Sequence, residues 1–352
     1  MTDTSTATPM PPRSVLVTGA STFLGGYLVA RLAANPAIET IVAVDSRIPT
    51  KALLRRMGRA EFVRLDIRRP TIAKAIANYD VDTVVHASTS IMDDAPHSAA
   101  IKEFNVVGAM QVVAACQRSP SVKRLILRST AMVYGASSKD PSHFTEGDAP
   151  RREPSGYGRD LLDIEGYCRG LSRRRSDIDV TIVRYQAMLG PRIRTRMGSY
   201  LSLPVVPTVI GFSPRMQFLH EEDALAALEH ATLAGKAGTF NIAGDGVISL
   251  SQAIRRAGHI ELPVPRGLLA PVSAALQDVR SVKLRSSQTD WLTHGRVLDT
   301  TRMRCELGFA PKYTTSATVD DFIERGAGKP VIAPSTWSDI ERSVISAAHQ
   351  LV

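Results

Sequence analysis

The chain is poor in several things, and each shortage excludes something. Only three cysteines, Cys116, Cys168 and Cys305, are scattered through 352 residues. Their odd number and wide spacing argue against a disulfide framework and against a zinc site, so the expectation is a reducing cytoplasm and no metal. Long apolar runs are lacking too. The nearest stretches, Leu201 to Phe212 and Leu268 to Val279, are short or broken by Pro204, Pro207 and Pro271, so no membrane span is expected. Residues 1–12, MTDTSTATPMPP, lack the basic start and apolar centre of a signal peptide and read as a disordered leader. Aromatic residues make up 5%, and none interleave with the arginine clusters at Arg55-Arg56, Arg68-Arg69, Arg151-Arg152, Arg173-Arg174-Arg175 and Arg255-Arg256. These clusters contribute to a net charge of +9. Without a nucleic-acid motif beside them they read as solvated helix faces, and no nucleic-acid partner is expected.

What is present is an ordered alternation. Val15-Leu16-Val17 reads as a short buried strand, followed by a turn at Gly19 and a helix from Phe23 to Leu32. A strand, a glycine turn and a helix N-terminus form the phosphate-binding start of a dinucleotide site. The pattern Gly19-x-x-Thr22-x-x-Gly25 has threonine where glycine is usual. Phe23 and Leu24 open the helix whose N–H groups would meet the pyrophosphate. Further strands are expected at 40–44, 62–65, 83–85, 124–127 and 180–183, with long helices at 99–116 and 157–171. Such βαβ alternation predicts an α/β fold, a doubly wound parallel sheet covered on both faces. Polar residues gather at the strand ends, where ligands bind in such sheets: Asp45, Asp66, His86, Ser88, Ser129 and Thr130. Asp45 is placed to accept ribose hydroxyls and to repel a 2′-phosphate, with Arg47 close by. Asp66 is placed for an adenine edge or, equally, to cap a helix. His86 reads as a packed strand-end residue. After Arg184 proline and glycine increase. The expected division is a leader at 1–12, a cofactor domain at 13–185, a substrate lobe at 186–327 with segments such as 239–242 returning to the sheet, and a C-terminal tail at 328–352.

Several segments in order resemble the extended short-chain dehydrogenase/reductases of the NAD-dependent epimerase/dehydratase type, the UDP-glucose 4-epimerase group, and within it the actinobacterial proteins of that likeness. They are TGASTFLGG, LDIRRP, VVHAS, EFNVVGAMQVVAAC, LILRSTAMVYG, VTIVRYQAMLGP, FLHEEDALAAL, GTFNIAGDGVISL and RCELGFAPK, covering about Ser14 to Ile323. The resemblance implies a Rossmann-type fold with a smaller C-terminal substrate lobe, NAD as cofactor, and a nucleotide sugar as substrate. It also implies a homodimer through the two long helices, with apolar Val106, Val107, Met110, Val113 and Ala114 on one and Leu161, Leu162, Ile164 and Cys168 on the other. The cofactor residues it implies are Gly19, Thr22, Phe23, Leu24, Gly25, Asp45, Asp66, Ile67, His86, Ala87, Ser88, Asn105 and Tyr157.

The family's catalytic group is a hydroxyl, a tyrosine and a lysine four residues on. These positions fall on Thr130 (with Ser129 beside it), Tyr157 and Leu161. Lysine at i+4 would share a helix face with the tyrosine and favour its anion, which leucine cannot do. Arg159 lies on another face. In the substrate segment Arg192 and Arg215 are candidates to pair with a diphosphate. Three functions follow as expectations: epimerisation or dehydration of a nucleotide sugar by transient hydride transfer; a catalytically degenerate NAD(H)-binding or sensor protein; or a 3β-hydroxysteroid-dehydrogenase-like reductase of an apolar alcohol, which the stretch Leu201 to Phe212 would suit.

Overall fold

A computed structural model describes residues 11–89, 99–154, 156–275 and 286–325. All but Pro11 and Pro12 of the expected leader, and the whole tail from Gly328, lie outside the described residues. Seven parallel strands form the central sheet: β1 (Ser14–Thr18), β2 (Thr40–Asp45), β3 (Glu61–Arg64), β4 (Thr83–His86), β5 (Arg124–Thr130), β6 (Asp179–Tyr185) and β7 (Gly238–Ile242). Their spatial order is β3-β2-β1-β4-β5-β6-β7. The chain reverses its direction of winding between β1 and β4. Crevices form above the carboxyl ends of strands at such a switch point.

Near-continuous apolar runs suit strands buried on both faces. Leu16, Val84, Leu125 and Leu127 face one core, which they share with α2 (Gly108–Arg118) and α3 (Tyr157–Arg174). The alternating residues Val15, Val17, Val85 and Ile126 face the other, with α1 (Phe23–Ala33) and α4 (Glu221–Ala234). The expected helix at 99–116 is helical throughout but not uniform. A π turn at Glu103–Val107 interrupts it and carries Asn105 to a fully buried position. This stretch, Ala99–Arg118, is the one segment among the described residues long and apolar enough to cross a membrane, with 44% of its apolar window buried. Its Val112, Val113, Ala115 and Cys116 belong to the sheet core.

The second half of the chain does two jobs. It builds a separate core from Met197, Leu201, Val206, Phe218, Ile254 and Phe322, among others. It also returns α4 and β7 to the sheet, where β7 pairs with β6, Thr239 opposite Ile182. The apolar stretch from Leu201 is largely taken up in that separate core: Leu201, Leu203, Val206 and Val209 are buried, while Ile210 and Phe212 are exposed.

Candidate active site

The glycine loop sits at the switch point and its close contacts explain its residues. Gly19 has φ +76°, and a Cβ there would lie 2.9 Å from Ser88 Cα. A Cβ on Gly25 would lie 2.2 Å from the Gly19 carbonyl oxygen. A side chain at Gly19 would force the loop away from the end of β4, and one at Gly25 would force α1 away from the loop. Thr22 needs no glycine, because its backbone is extended at φ −84°, ψ 164°. Its hydroxyl donates to the Gly19 carbonyl (2.7 Å) and accepts the Gly25 N–H (3.2 Å), so it caps α1. The unusual threonine is thus a helix cap. Among the described residues the N–H groups of Phe23 and Leu24 are left without an acceptor, at the positive end of the α1 dipole.

Asp45 ends β2 and is nearly buried. Its Oδ2 accepts the Ser21 N–H (2.9 Å) and hydroxyl (2.6 Å), and its Oδ1 accepts the Arg47 N–H (2.9 Å). Oδ1 keeps room for one more donor. Asp66 is committed to Arg68, which donates to it from Nε (3.0 Å), Nη2 (2.6 Å) and the backbone (3.0 Å). Those hydrogen bonds hold its carboxyl below the usual range. Asp66 does not cap the helix Thr71–Asn78, whose N-cap is Pro70 with no side-chain cap; its bonds to Arg68 hold the turn after β3 instead. Ile67 is buried against Gly108, where a Cβ would lie 2.7 Å from Ile67 Cδ1. His86 is buried and its Nδ1 meets Thr18 Oγ1 at 2.9 Å. Burial, helped by the Arg128 charge, pulls its pKa down to about 4, so it is a neutral packing residue. Ala87 and Ser88 are buried beside Gly19, and Ser88 N–H donates to Thr18 Oγ1 at 3.3 Å.

Tyr157 is the first residue of α3 and is 4% exposed. Its hydroxyl donates to Thr89 Oγ1 at 2.7 Å. Arg128 Nη1 donates both to that phenol oxygen (3.2 Å) and to Thr89 Oγ1 (2.6 Å). Neither Thr89 nor Arg128 is signalled by any motif. Gly158, next to the tyrosine, lets α3 approach the turn after β5: a Cβ there would lie 2.7 Å from the Met132 carbonyl oxygen. Thr130 caps that turn, its Oγ1 accepting the Met132 N–H at 3.0 Å. Asn105 Nδ2 donates to Asp160 Oδ2 (3.1 Å), three residues along α3 from Tyr157.

Two expected site residues, Ser129 and Arg192, have other employment. Ser129, expected beside Thr130 in catalysis, is fully buried and donates to Glu165 Oε1 at 2.7 Å. Glu165 is gripped by Arg184 through Nε (3.0 Å) and Nη2 (2.7 Å) and by Arg169 (3.0 Å). Burial alone would raise its pKa, but the Arg184 hydrogen bonds and charge hold it below the usual value. Leu161, the lysine position, is fully buried in the core under α3. Arg192, expected at a diphosphate, is instead held by Glu221 (Nε to Oε1, 2.7 Å) and Glu222, and lies over the Phe23 and Tyr27 rings. Arg159 pairs on the surface with Glu153 and Asp163, so it is no stand-in for the lysine. Arg215 donates to the Ser142 carbonyl (2.9 Å) and lines a cavity of about 490 Å³ between the two lobes, with Asp140 and Phe144 from the first and Phe212, His294 and Arg296 from the second. No cluster of metal-ligating side chains is found among the described residues.

Residues 15–243 match the NAD dependent epimerase/dehydratase family. The chain belongs to that family. An uncharacterized protein of Mycobacterium tuberculosis is 55% identical over 345 residues, 97% of this chain and 92% of that one. UDP-glucose 4-epimerase 2 of Arabidopsis thaliana is 27% identical over 184 residues, about half of each chain (49% and 51%). The crystal structure of UDP-glucose 4-epimerase from Thermotoga maritima superposes with a TM-score of 0.67 at 19% identity, covering 89% of this chain and 98% of that one. That likeness is one of fold. The protein is an NAD-dependent epimerase/dehydratase-like enzyme by family, and NAD is its cofactor. The loop fits the group: Gly19 and Gly25 leave no room for side chains, two N–H groups are open, and Asp45 Oδ1 retains an accepting position.

Proposed function

We propose that the protein epimerises or dehydrates a nucleotide sugar by transient hydride transfer, with Tyr157 as the proton-transferring group. The observation that carries this reading is the phenol of Tyr157, held at the start of α3 between Thr89 and a guanidinium. NAD, when bound, takes a hydride from the sugar and returns it. Phe23 and Leu24 N–H groups and the α1 dipole would hold its pyrophosphate, and Asp45 its ribose. A 2′-phosphate beside Asp45 would meet a carboxylate, so NAD is preferred to NADP. Tyr157 would take the proton of the sugar hydroxyl and give it back, and Thr130 would hydrogen-bond the same oxygen. Arg215 and Arg296 give the cavity between the two lobes a cationic wall suited to a diphosphate, offset in part by Asp140. The likeness to UDP-glucose 4-epimerases supports the same reading.

One observation favours the second reading, a cofactor-binding protein without turnover: the lysine position is an apolar core residue, Leu161. The apolar-alcohol reading loses its main support, since the stretch from Leu201 mostly fills the lobe's own core. Native mass spectrometry of the purified protein, followed by assay with UDP-glucose and UDP-galactose, separates the first two. Copurified NAD and interconversion of the sugars are expected. Bound NAD with no change in any nucleotide sugar tried would refute the catalytic reading. The same reading includes a homodimer. Leu161, Ile164, Cys168 and Val113 are buried within the subunit, so the outward apolar stripe is narrower than the sequence suggested: Val106, Val107, Met110, Ala114 and Leu162.

A further inference from the structure

We propose that Arg128, from β5, supplies to the Tyr157 oxygen the positive charge that Leu161 cannot supply from α3. This rests on the reading of Tyr157 as a proton-transferring group. Arg128 is 8% exposed and forms no ion pair among the described residues, and its Nε is buried without a partner. A guanidinium keeps its charge, and a buried one without a carboxylate partner is costly. Among the described residues its oxygen partners are the Tyr157 phenol and the Thr89 hydroxyl. A cation donating to a phenol oxygen favours the state in which that oxygen is negative.

The placement follows from strand alternation. Leu125, Leu127 and Ser129 face α3; Ile126, Arg128 and Thr130 leave the sheet on the other side. The Arg128 side chain therefore reaches Tyr157 across the carboxyl end of the sheet, inside the crevice. A lysine at i+4 would come from the opposite direction, along the helix. Leu161 can then remain a core residue without leaving the phenol uncharged by its surroundings. Thr89 completes the set, because its one hydroxyl accepts from both Tyr157 and Arg128 and so keeps them together.

Among the described residues, three other ionisable groups lie beside this pair. His86, on β4, is neutral for the reason given above. Tyr185, on β6, donates to the Ala224 carbonyl (2.7 Å), and burial raises its pKa far above the usual value. Asp160, on α3, accepts from Asn105. None supplies a second cation to the Tyr157 oxygen.

The test uses the whole protein without substrate. Phenolate absorbance at pH 9 is measured as wild type minus Tyr157→Phe, in the Arg128 background and in Arg128→Gln and Arg128→Lys. The Tyr157-dependent signal is expected in wild type, about tenfold weaker in Arg128→Gln, and largely kept in Arg128→Lys, which retains the charge. A thermal melt checks folding first, and Arg128→Met replaces Arg128→Gln if the latter melts early. An equal signal in the wild type and the neutral variant, or no Tyr157-dependent signal in the wild type, overturns the proposal. Because no sugar is present, a positive titration with no turnover of any nucleotide sugar would refute the proposed function and leave this assignment standing.

Discussion

Placing lysine at position 161 would restore the family pattern on paper, and the structure says what it would do in practice. Leu161 is fully buried in the core that α3 shares with the sheet, together with Leu125, Tyr157 and Ile164. Leu161→Lys removes a buried leucine, worth about 2 kcal/mol. It also puts an ammonium into that core, at a cost of several kcal/mol even after relaxation. The sum, about 4 kcal/mol or more at pH 7, is a large part of the 5–15 kcal/mol of ordinary domain stability. The loss must depend on pH. A buried lysine escapes part of the cost by shedding its proton, so its folded pKa falls below the unfolded value near 10.4. Between those two values the unfolded state binds more protons, and stability rises with pH. The deficit relative to wild type is therefore full below the folded pKa and shrinks as pH climbs toward about 10. Urea melts of both proteins at pH 6, 8 and 9.5 measure it. A variant that melts like wild type at all three would refute the burial argument. If it also gained about a hundredfold in NAD reduction by a nucleotide sugar, position 161 would face the crevice after all.

Gly25→Ala is expected to weaken NAD binding at least tenfold by calorimetry, because its Cβ would fall 2.2 Å from the Gly19 carbonyl oxygen; unchanged affinity would mean the loop opens freely. Arg184→Met strands the buried Glu165 charge and should cost about 3–5 kcal/mol at neutral pH. Glu165 has a lowered folded pKa, so its contribution is complete above the unfolded carboxyl value and is lost as pH falls through the folded one. The gap between wild type and variant should narrow toward pH 3, and an equal gap at pH 3 and pH 7 in denaturant melts would contradict this. Met110→Glu puts a charge at a residue 41% exposed on the outward stripe and should convert a dimer to a monomer in light scattering; a wild type that is already monomeric at micromolar concentration would remove the dimer.

The sheet and the loop were legible because their signals are local. Apolar runs ending in Asp45, His86 and Ser129 mark the strands, and Gly19 and Gly25 are demanded by contacts within the motif and at the β4 end. The Tyr157 environment was not legible, because Thr89 and Arg128 are far apart in sequence and meet only when β4, β5 and α3 assemble. Arg128 is hidden further by alternation, since its position on β5 faces away from the helix it serves. Ser129 misled for the same reason: adjacent to Thr130 in sequence, it faces the other side of the sheet, where Glu165 takes its hydroxyl. Arg192 misled because Glu221 and Glu222, which bind it, belong to a helix that begins many residues later. The π turn at Glu103–Val107 left no mark in an apolar pattern that fits an unbroken helix nearly as well.

The returning strand β7 has a consequence for how the chain must be made. Tyr134 Oη donates to Asn241 Oδ1 (2.7 Å), and Asn241 N–H donates to Glu146 (2.8 Å), so residues of the first half are completed by a strand from the second. During synthesis β6 emerges with a bare edge and stays so while the ribosome adds the turns, the short helix Arg196–Leu201 and all of α4. An exposed parallel edge is an invitation to pair with the wrong strand, including the same strand of a neighbouring nascent chain. The order of translation thus leaves a window of several seconds in which the nascent protein is most open to misassembly and to chaperone capture, and β7 closes it.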